Sequence, residues 1–313
     1  MKISFVNVAE GRLRAGWRMA IFTVGMLALN AAMFISIRAM LGGLPRQSIL
    51  PFLIFGTAAT VSVYLARRFL DRQSFASLGL RCDRYAVLDL LGGVLNSAVL
   101  MAIMFFVLLW TGLIEFHGFT WWTDDPAGTA QLSASALVAI GTVLLELTIV
   151  AWWEELVFRG YLLQNTIAGL GLTWSVVILS LLFGLLHGFN PNATILSTLL
   201  IAATTPQLIY AYFKTGQLWL PIGLHLGWNF FQASVFGFAA SGQSSPTMIA
   251  QSPVGPDWLS GGAFGAEGSI LIFPVTLLSM VAIHYWVRAT RPHNNAKLLP
   301  ESNPVLHHQL QPE

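Results

Sequence analysis

Long apolar runs separated by short polar segments set the pattern of this chain. A membrane-spanning helix needs about 20 mainly apolar residues, and a window of about 19 residues finds approximately eight such runs. The runs cover about 19–41, 48–66, 86–114, 132–153, 174–188, 195–213, 216–238 and 269–287. The pattern predicts an all-α fold, a polytopic transmembrane helical bundle of about eight spans.

The composition supports this prediction. Hydrophobic residues make up 55% of the chain and charged residues 10%, with a mean hydropathy of +0.68. These values are typical of a membrane protein, so the lipid bilayer is the expected partner. Lys and Arg gather at the ends of particular spans and form no extended basic face, which argues against nucleic-acid binding. The single cysteine, Cys82, excludes an internal disulfide.

The distribution of arginine predicts the orientation in the membrane. The 67–85 loop holds five arginines, whereas the next loop, 115–131, holds three acidic residues and no Lys or Arg. By the positive-inside rule the first loop is cytoplasmic and the second external. With an even number of spans both termini are then cytoplasmic, and the 239–268 loop, rich in Gly, Ser and Pro, is external.

Three polar clusters interrupt the apolar runs, and charged or imidazole side chains at bilayer depth are usually functional because they are costly. The first cluster is Glu154-Glu155 with Arg159. Glu155 and Arg159 are four residues apart, so on a helix they share a face and can form an ion pair. Glu154 points elsewhere and is the freer carboxylate. Alternatively, both acids mark a helix end near the membrane surface.

The other two clusters are His187, and His225 with Asn229 one helical turn later. Glycines flank both histidines and permit close helix packing. Each histidine alone fits a hydrogen-bonded core residue. Together with a carboxylate and a carboxamide, they fit a site that activates water and stabilises an oxyanion.

A divalent metal is the second chemical interpretation of the same residues. Glu154, His187 and His225 are candidate ligands, because two histidines and a glutamate with an open water position form a known catalytic zinc set. The metal-free interpretation needs no cofactor. Asn229 favours it, since a carboxamide at helical spacing from His225 fits an oxyanion donor better than a zinc ligand.

At these residues the chain resembles the CPBP family of intramembrane proteases, also called the Abi family. This family includes type II CAAX prenyl endopeptidases and bacteriocin-processing or immunity homologues. Its pattern is EExxxR, FxxxH and HxxxN on successive helices. The chain supplies these motifs in order within about residues 150–230, as Glu154-Glu155-Arg159, Phe183-His187 and His225-Asn229. Each motif alone is weak, but the ordered trio is specific.

The resemblance implies an intramembrane endopeptidase of the bacterial cytoplasmic membrane that acts on a membrane-associated protein or peptide. By the same resemblance, Glu154 with His187 would activate the hydrolytic water. His225 and Asn229 would hold the oxyanion, and Glu155 with Arg159 would brace the helix.

We therefore expect three regions along the chain. N-terminal transmembrane helices with the basic loop occupy 1–131, a catalytic helical core occupies 132–288, and a disordered cytoplasmic tail occupies 289–313. Two other function classes stay open: a non-catalytic membrane scaffold or bacteriocin-immunity-type protein, and a transporter. The absence of a convincing internal repeat weakens the transporter interpretation.

Overall fold

The computed structural model describes residues 5–7, 11–43, 48–124 and 130–291, and all but the first three residues of the predicted tail lie outside these ranges. Within them the chain is an all-α bundle, which confirms the predicted fold class. The helices are α1 (Ala15–Met40), α2 (Leu50–Leu65), α3 (Arg84–Trp110), α4 (Ala134–Glu155), α5 (Leu163–His187), α6 (Ile195–Thr204), α7 (Pro206–Thr215), α8 (Trp219–Phe230), α9 (Asp257–Ser260) and α10 (Ile272–Thr290).

Short antiparallel strand pairs accompany the helices, as β1 (Val6–Asn7) with β2 (Arg12–Leu13), β3 (Ile114–Phe119) with β6 (Ile249–Pro253), and β4 (Trp122–Asp124) with β5 (Ala130–Leu132). In the β3–β6 pair, Ile114 lies opposite Pro253 and Phe119 opposite Ile249, with a register shift between Phe116 and Gly118. This pair joins the loop after α3 to the segment after α8.

Six helical runs in the described part of the chain are long and apolar enough to cross a membrane. They are Ala15–Met40, Leu50–Leu70, Arg84–Trp110, Ala134–His187, Ile195–Thr215 and Ile272–Thr290. The predicted fourth and fifth spans belong to one 54-residue run. The predicted seventh span holds α8, which has only 12 residues and continues as a π-helix over Phe231–Val235. The count of eight spans and the cytoplasmic termini stay predictions.

The 54-residue run is a helical hairpin. Helix α4 continues through a π-helix, Leu156–Leu162, into α5, and Gly171 interrupts α5 with φ 77° and ψ 172°. The rings of Phe158 and Phe183, on opposite sides of this break, lie 5.0 Å apart. The two arms are therefore antiparallel.

The hairpin brings two predicted site residues to the same depth. Glu154 precedes Gly171 by 17 residues, and His187 follows it by 16. With a rise of about 1.5 Å per residue, both lie roughly 25 Å from the break. If the predicted fourth and fifth spans each crossed the membrane separately, Glu154 would lie towards the inner end of one and His187 towards the outer end of the next. Because α4 continues past Arg159, the two residues instead lie at the same level of the hairpin.

Helices α3 and α8 cross in backbone contact. A Cβ atom on Gly223 would lie 2.1 Å from the carbonyl oxygen of Leu90, and Gly227 approaches the α3 backbone in the same way. The Ser97 hydroxyl donates a hydrogen bond of 2.7 Å to the carbonyl of Leu224 across this contact. Small residues allow such close packing between membrane helices. The contact fixes the position of α8 in the bundle.

A buried polar network anchors the segment that follows α2. Asp71 accepts hydrogen bonds from Arg18 at 2.5 Å and from Arg67 at 2.8 Å, and all three residues are buried. Arg67 also donates to the side chain of Gln164 at the start of α5, at 2.8 Å. The sequence predicted Arg67 to be a loop residue that sets the orientation. It is instead a member of this buried network, because it lies within the helical run Leu50–Leu70.

Residues 239–268 are folded, which corrects the expectation of a loop, while the external side of this segment stays a prediction. The segment contributes β6 to the pair with β3, and Phe264 and Ala266 are buried. Gly242, Gly261 and Gly265 have positive φ angles, so the backbone turns sharply at several points. The segment folds back over the helices that carry the polar clusters.

Candidate active site

Glu155 lies at the end of α4 and is fully buried. Its Oε1 atom accepts two hydrogen bonds, from Arg159 Nη1 at 2.8 Å and from His225 Nδ1 at 2.8 Å. The arginine lies in the π-helix that follows α4, whereas the histidine lies on α8. Glu155 therefore links the hairpin to α8 in addition to pairing with the arginine on its own face.

His225 is buried between the two glutamates. A carboxylate can only accept, so the Nδ1 atom that contacts Glu155 carries the proton, and in the neutral ring Nε2 is the lone-pair atom. Nε2 lies 3.8 Å from Glu154 Oε2. This distance exceeds a hydrogen bond and leaves no room for a water between the two atoms.

Glu154 is the freer carboxylate of the pair. Its side chain is 12% exposed, against 0% for Glu155. Its Oε2 atom is buried without a hydrogen-bond partner among the described residues. A buried carboxylate oxygen without a donor is costly, and Glu155 Oε2 and Arg159 Nη2 are in the same state. What distinguishes Glu154 is that its carboxylate lines a cavity.

His187 ends α5 with its ring held from two sides. Nδ1 donates to the carbonyl of Phe183 at 2.8 Å, which leaves Nε2 as the lone-pair atom of the neutral ring. The rings of His187 and Phe183 have centroids 4.5 Å apart. Phe183 also contacts His225, with centroids 6.3 Å apart, and lies 4.4 Å from the Arg159 guanidinium carbon. This phenylalanine packs against all three polar groups.

The position of His187 depends on a close contact between α5 and α6. A Cβ atom on Gly184 would lie 2.6 Å from the carbonyl oxygen of Thr198 and 2.7 Å from the Cβ atom of Ala202. The end of α5 therefore packs directly on the α6 backbone. Gly188 is also close to Thr198, so both glycines that flank the histidine are needed for this packing.

Asn229 lies one helical turn after His225 and is 9% exposed. Within the part of the chain that the structure describes, its carboxamide makes no side-chain hydrogen bond. A buried amide usually has partners. Asn229 therefore presents an unpaired amide to the space that it lines.

Two cavities meet at these residues. The larger, of about 350 Å³, is lined by Glu154, His187, His225 and Asn229. The smaller, of about 90 Å³, is lined by the same two histidines and Asn229 but not by Glu154. A cavity of a few hundred Å³ is the size of a small-ligand or substrate site. The structure thus brings all four residues predicted for catalysis to one cavity.

Two carboxylates beside these cavities were not predicted as site residues. Glu146 lines the larger cavity two helical turns before Glu154, and Val150 lines it midway between them. This helical spacing could have indicated from the sequence that Glu146 lies on the same side of α4 as Glu154. Glu267 lines the smaller cavity and is 7% exposed. Its sequence context, a glycine-rich segment, carries no signal, because only the folding back of residues 239–268 buries it.

The fit of a metal ion can be judged from the donor atoms. The tautomers of His187 and His225 leave both Nε2 atoms with lone pairs, which suits a metal in principle. However, no three His, Cys, Asp or Glu side chains come together in a metal-binding arrangement among residues 5–7, 11–43, 48–124 and 130–291. The donor set as placed does not fit zinc, and no catalytic step is assigned to a metal below.

Comparison with known families covers this part of the chain. Residues 134–231 match the family model described as type II CAAX prenyl endopeptidase Rce1-like. The match confirms the resemblance predicted from the sequence. It spans the hairpin and α8, and so contains Glu154, His187, His225 and Asn229. Neither the search of curated proteins nor the search of solved structures gave a match.

The Rce1-like match supports a CAAX-type intramembrane endopeptidase at the level of the family. It also supports a peptide or protein as the substrate class and a membrane environment, in agreement with the six apolar helical runs in the described ranges. The catalytic type, glutamate-dependent or metal-dependent, is not specified by this match.

Proposed function

We propose that the chain is an intramembrane endopeptidase that hydrolyses a peptide bond of a membrane-associated protein or peptide. The observation that carries the proposal is the convergence of Glu154, His187, His225 and Asn229 on one cavity of about 350 Å³. These residues come from both arms of the hairpin and from α8, and nothing in a structural role requires all four to face the same space.

Glu154 is the general base in this proposal. Its carboxylate lines the cavity, and Oε2 lies 3.8 Å from His225 Nε2, so a water in the cavity that reaches this carboxylate lies beside the imidazole. Glu154 takes a proton from that water while its oxygen attacks the carbonyl carbon of the scissile bond. His187, which lines the same cavity, orients the water through the Nε2 lone pair that its bond to Phe183 leaves available.

His225 and Asn229 hold the oxygen on which negative charge develops. Donors that are fixed in place before the reaction stabilise such a charge most effectively. Asn229 lines the cavity, and its amide makes no side-chain hydrogen bond among the described residues. A proton on Nε2 makes His225 a cationic donor, and the neighbouring Glu154 and Glu155 balance that charge.

The products follow from proton balance. The water oxygen becomes part of the new carboxyl group, and the C–N bond breaks as the tetrahedral intermediate collapses. The proton held by Glu154 passes to the leaving nitrogen, which departs as an amine. Glu155 touches no reacting atom in this scheme; it positions His225 and is itself fixed by Arg159.

The proposal also includes a substrate class and a cellular location. The family description makes a prenylated CAAX-type C-terminus the first candidate substrate to test. We propose a bacterial cytoplasmic membrane as the location, as the family resemblance implies, and the arginine distribution supports an orientation with both termini and the 67–85 loop inside.

Comparative proteomics of new protein termini tests the function without a known substrate. Membranes that carry wild-type protein are compared with membranes that carry Glu154→Gln at equal protein levels. Glu115→Gln is the matched control, since it makes the same change at an exposed strand position away from the cavity. We expect one or more termini that appear with wild type and Glu115→Gln and are lost with Glu154→Gln. Identical termini in all three membranes would favour the non-catalytic scaffold.

A further inference from the structure

Glu267 is a buried carboxylate with three hydrogen-bond donors around it. Its Oε1 atom accepts from Trp228 Nε1 at 3.0 Å. Its Oε2 atom accepts from the backbone N–H of Ser241 at 2.8 Å and from the Ser241 hydroxyl at 2.7 Å. Hydrogen bonds to a charged acceptor are the stronger ones in proteins. Glu267 therefore joins two segments firmly.

The two segments are both parts of the candidate active site. Trp228 lies on α8 between His225 and Asn229 and lines the smaller cavity. Ser241 lines both cavities. Glu267 lines the smaller cavity but not the larger one, to which Glu154 belongs, so it affects that cavity through the residues that it holds.

The turn that contains Ser241 needs an external anchor. Ser241 has a φ of 46°, a left-handed conformation that is costly for a residue with a side chain. The turn is closed by a bridge between Ala240 and Gln243. Gly242 follows with φ 80°, and a Cβ atom there would lie 1.7 Å from the carbonyl oxygen of Pro191. The turn is thus fitted against the loop after α5, near His187.

We propose that Glu267 is a positioning residue that clamps the Ala240–Gln243 turn onto α8, so that the turn forms one wall of the substrate cavity. This inference rests on the proposed function. The carboxylate compensates the strained turn with two hydrogen bonds and ties it to the helix that carries the oxyanion donors. Loss of the clamp lets the turn move away from the cavity. Substrate binding then weakens, while Glu154, His187 and His225 keep their positions.

A carboxamide cannot replace this carboxylate. In Glu267→Gln one oxygen becomes an NH₂ group, and in either orientation that group meets a donor: the Trp228 indole or the Ser241 backbone N–H. One arm of the clamp is lost while size and shape are kept. Trp228→Phe removes only the hydrogen bond between α8 and Glu267, and it leaves the carboxylate in place.

The position of the turn is measured first, without any substrate. In a Cys82→Ser background, Ala240→Cys places the sole thiol on the buried side of the turn, since Ala240 is 8% exposed and lines the larger cavity. We expect labelling by N-ethylmaleimide to be about tenfold or more faster in the Glu267→Gln and Trp228→Phe proteins. The control is Asp257→Asn, which removes an exposed charge of the same segment, and its rate should equal that of the parent.

The second measurement is kinetic and uses an internally quenched farnesylated peptide that ends in a CAAX sequence. The clamp predicts a KM about tenfold higher in Glu267→Gln with kcat within about twofold of wild type. A merely structural role predicts a lower melting temperature with an unchanged KM for the folded fraction. Equal labelling rates in parent and both clamp variants would overturn the clamp. If the wild type does not cleave the peptide, the labelling result still decides the clamp, and the failure belongs to the proposed substrate or function.

Discussion

Glu155 and His225, 70 residues apart in the chain, are joined by a hydrogen bond of 2.8 Å between Oε1 and Nδ1. The same oxygen also accepts from Arg159 at 2.8 Å. One buried carboxylate oxygen thus fixes both the guanidinium of its own helix and the ring of a proposed catalytic histidine. Substitution of Glu155 should therefore affect both stability and catalysis, whereas substitution of Arg159 should affect mainly stability.

The first prediction separates them. Glu155→Ala and Arg159→Ala should each lower the free energy of unfolding, because each leaves a buried charge without its partner, at a cost of about 3–5 kcal/mol. Only Glu155→Ala also releases the ring of His225, so its folded fraction should lose more activity. The measurements are thermal melting in detergent and turnover per folded molecule. If both variants melt like the wild type while activity vanishes, these residues belong to the chemistry and the bracing role is wrong.

The second prediction ranks the residues of the cavity. Glu154→Gln should abolish turnover because the amide cannot take a proton from water. Asn229→Ala should reduce kcat by about 100–1000-fold, which is the usual loss for one oxyanion donor. The two variants should express and melt like the wild type, and turnover of the farnesylated peptide is the measurement. An Asn229→Ala enzyme with full kcat would remove Asn229 from the oxyanion site.

The third prediction concerns the α3–α8 contact. Gly223→Ala places a methyl group 2.1 Å from the Leu90 carbonyl oxygen, so the helices must separate. We expect a loss of about 1–3 kcal/mol in the free energy of unfolding, as for other overpacked sites. Gly141→Ala is the control, because a Cβ atom there meets no atom within 4 Å. It should melt at the same or a slightly higher temperature, because alanine favours helix over glycine. Equal melting of the two variants would contradict the close packing.

The polar clusters could be predicted from the sequence because a helix places residues four apart on one face and because charges in apolar runs stand out. Helical spacing accounts for the Glu155–Arg159 pair and for Asn229 one turn after His225. The contact between Glu155 and His225 could not be predicted in this way, since it depends on how α4 and α8 pack.

The fold differs from expectation at positions where the neighbouring sequence does not indicate the structure. Gly171 is one of 28 glycines, and the sequence does not indicate that the helix begun by α4 continues to this residue before the chain turns back. Residues 239–268 have the composition of a loop, yet their strand pairing and the burial of Glu267 come from distant partners. Such long-range contacts decide the shape of the cavity.

The fourth prediction tests the orientation, which rests on the arginine distribution alone. In the Cys82→Ser background, single cysteines at exposed positions of the 67–85 loop should react with a membrane-impermeant maleimide only after the cytoplasmic side is opened. Phe116→Cys and Trp258→Cys, in the two segments expected outside, should react in intact cells, since both positions are exposed. The reverse pattern would invert the topology, and equal labelling from both sides would indicate mixed insertion.

The fifth prediction separates metal-free from metal-dependent hydrolysis. If Glu154 acts on water with His187, chelator-treated wild-type protein should keep its rate, because no step needs a metal. If Glu154, His187 and His225 instead hold zinc, chelation should stop turnover, Zn²⁺ should restore it, and His187→Ala should reduce both activity and bound metal. We expect the metal-free result, because the described side chains do not bring three such donors together. Elemental analysis of washed active protein decides the question independently: one zinc per molecule, lost in His187→Ala and kept in Glu115→Gln, would establish the metal site and displace the general-base mechanism.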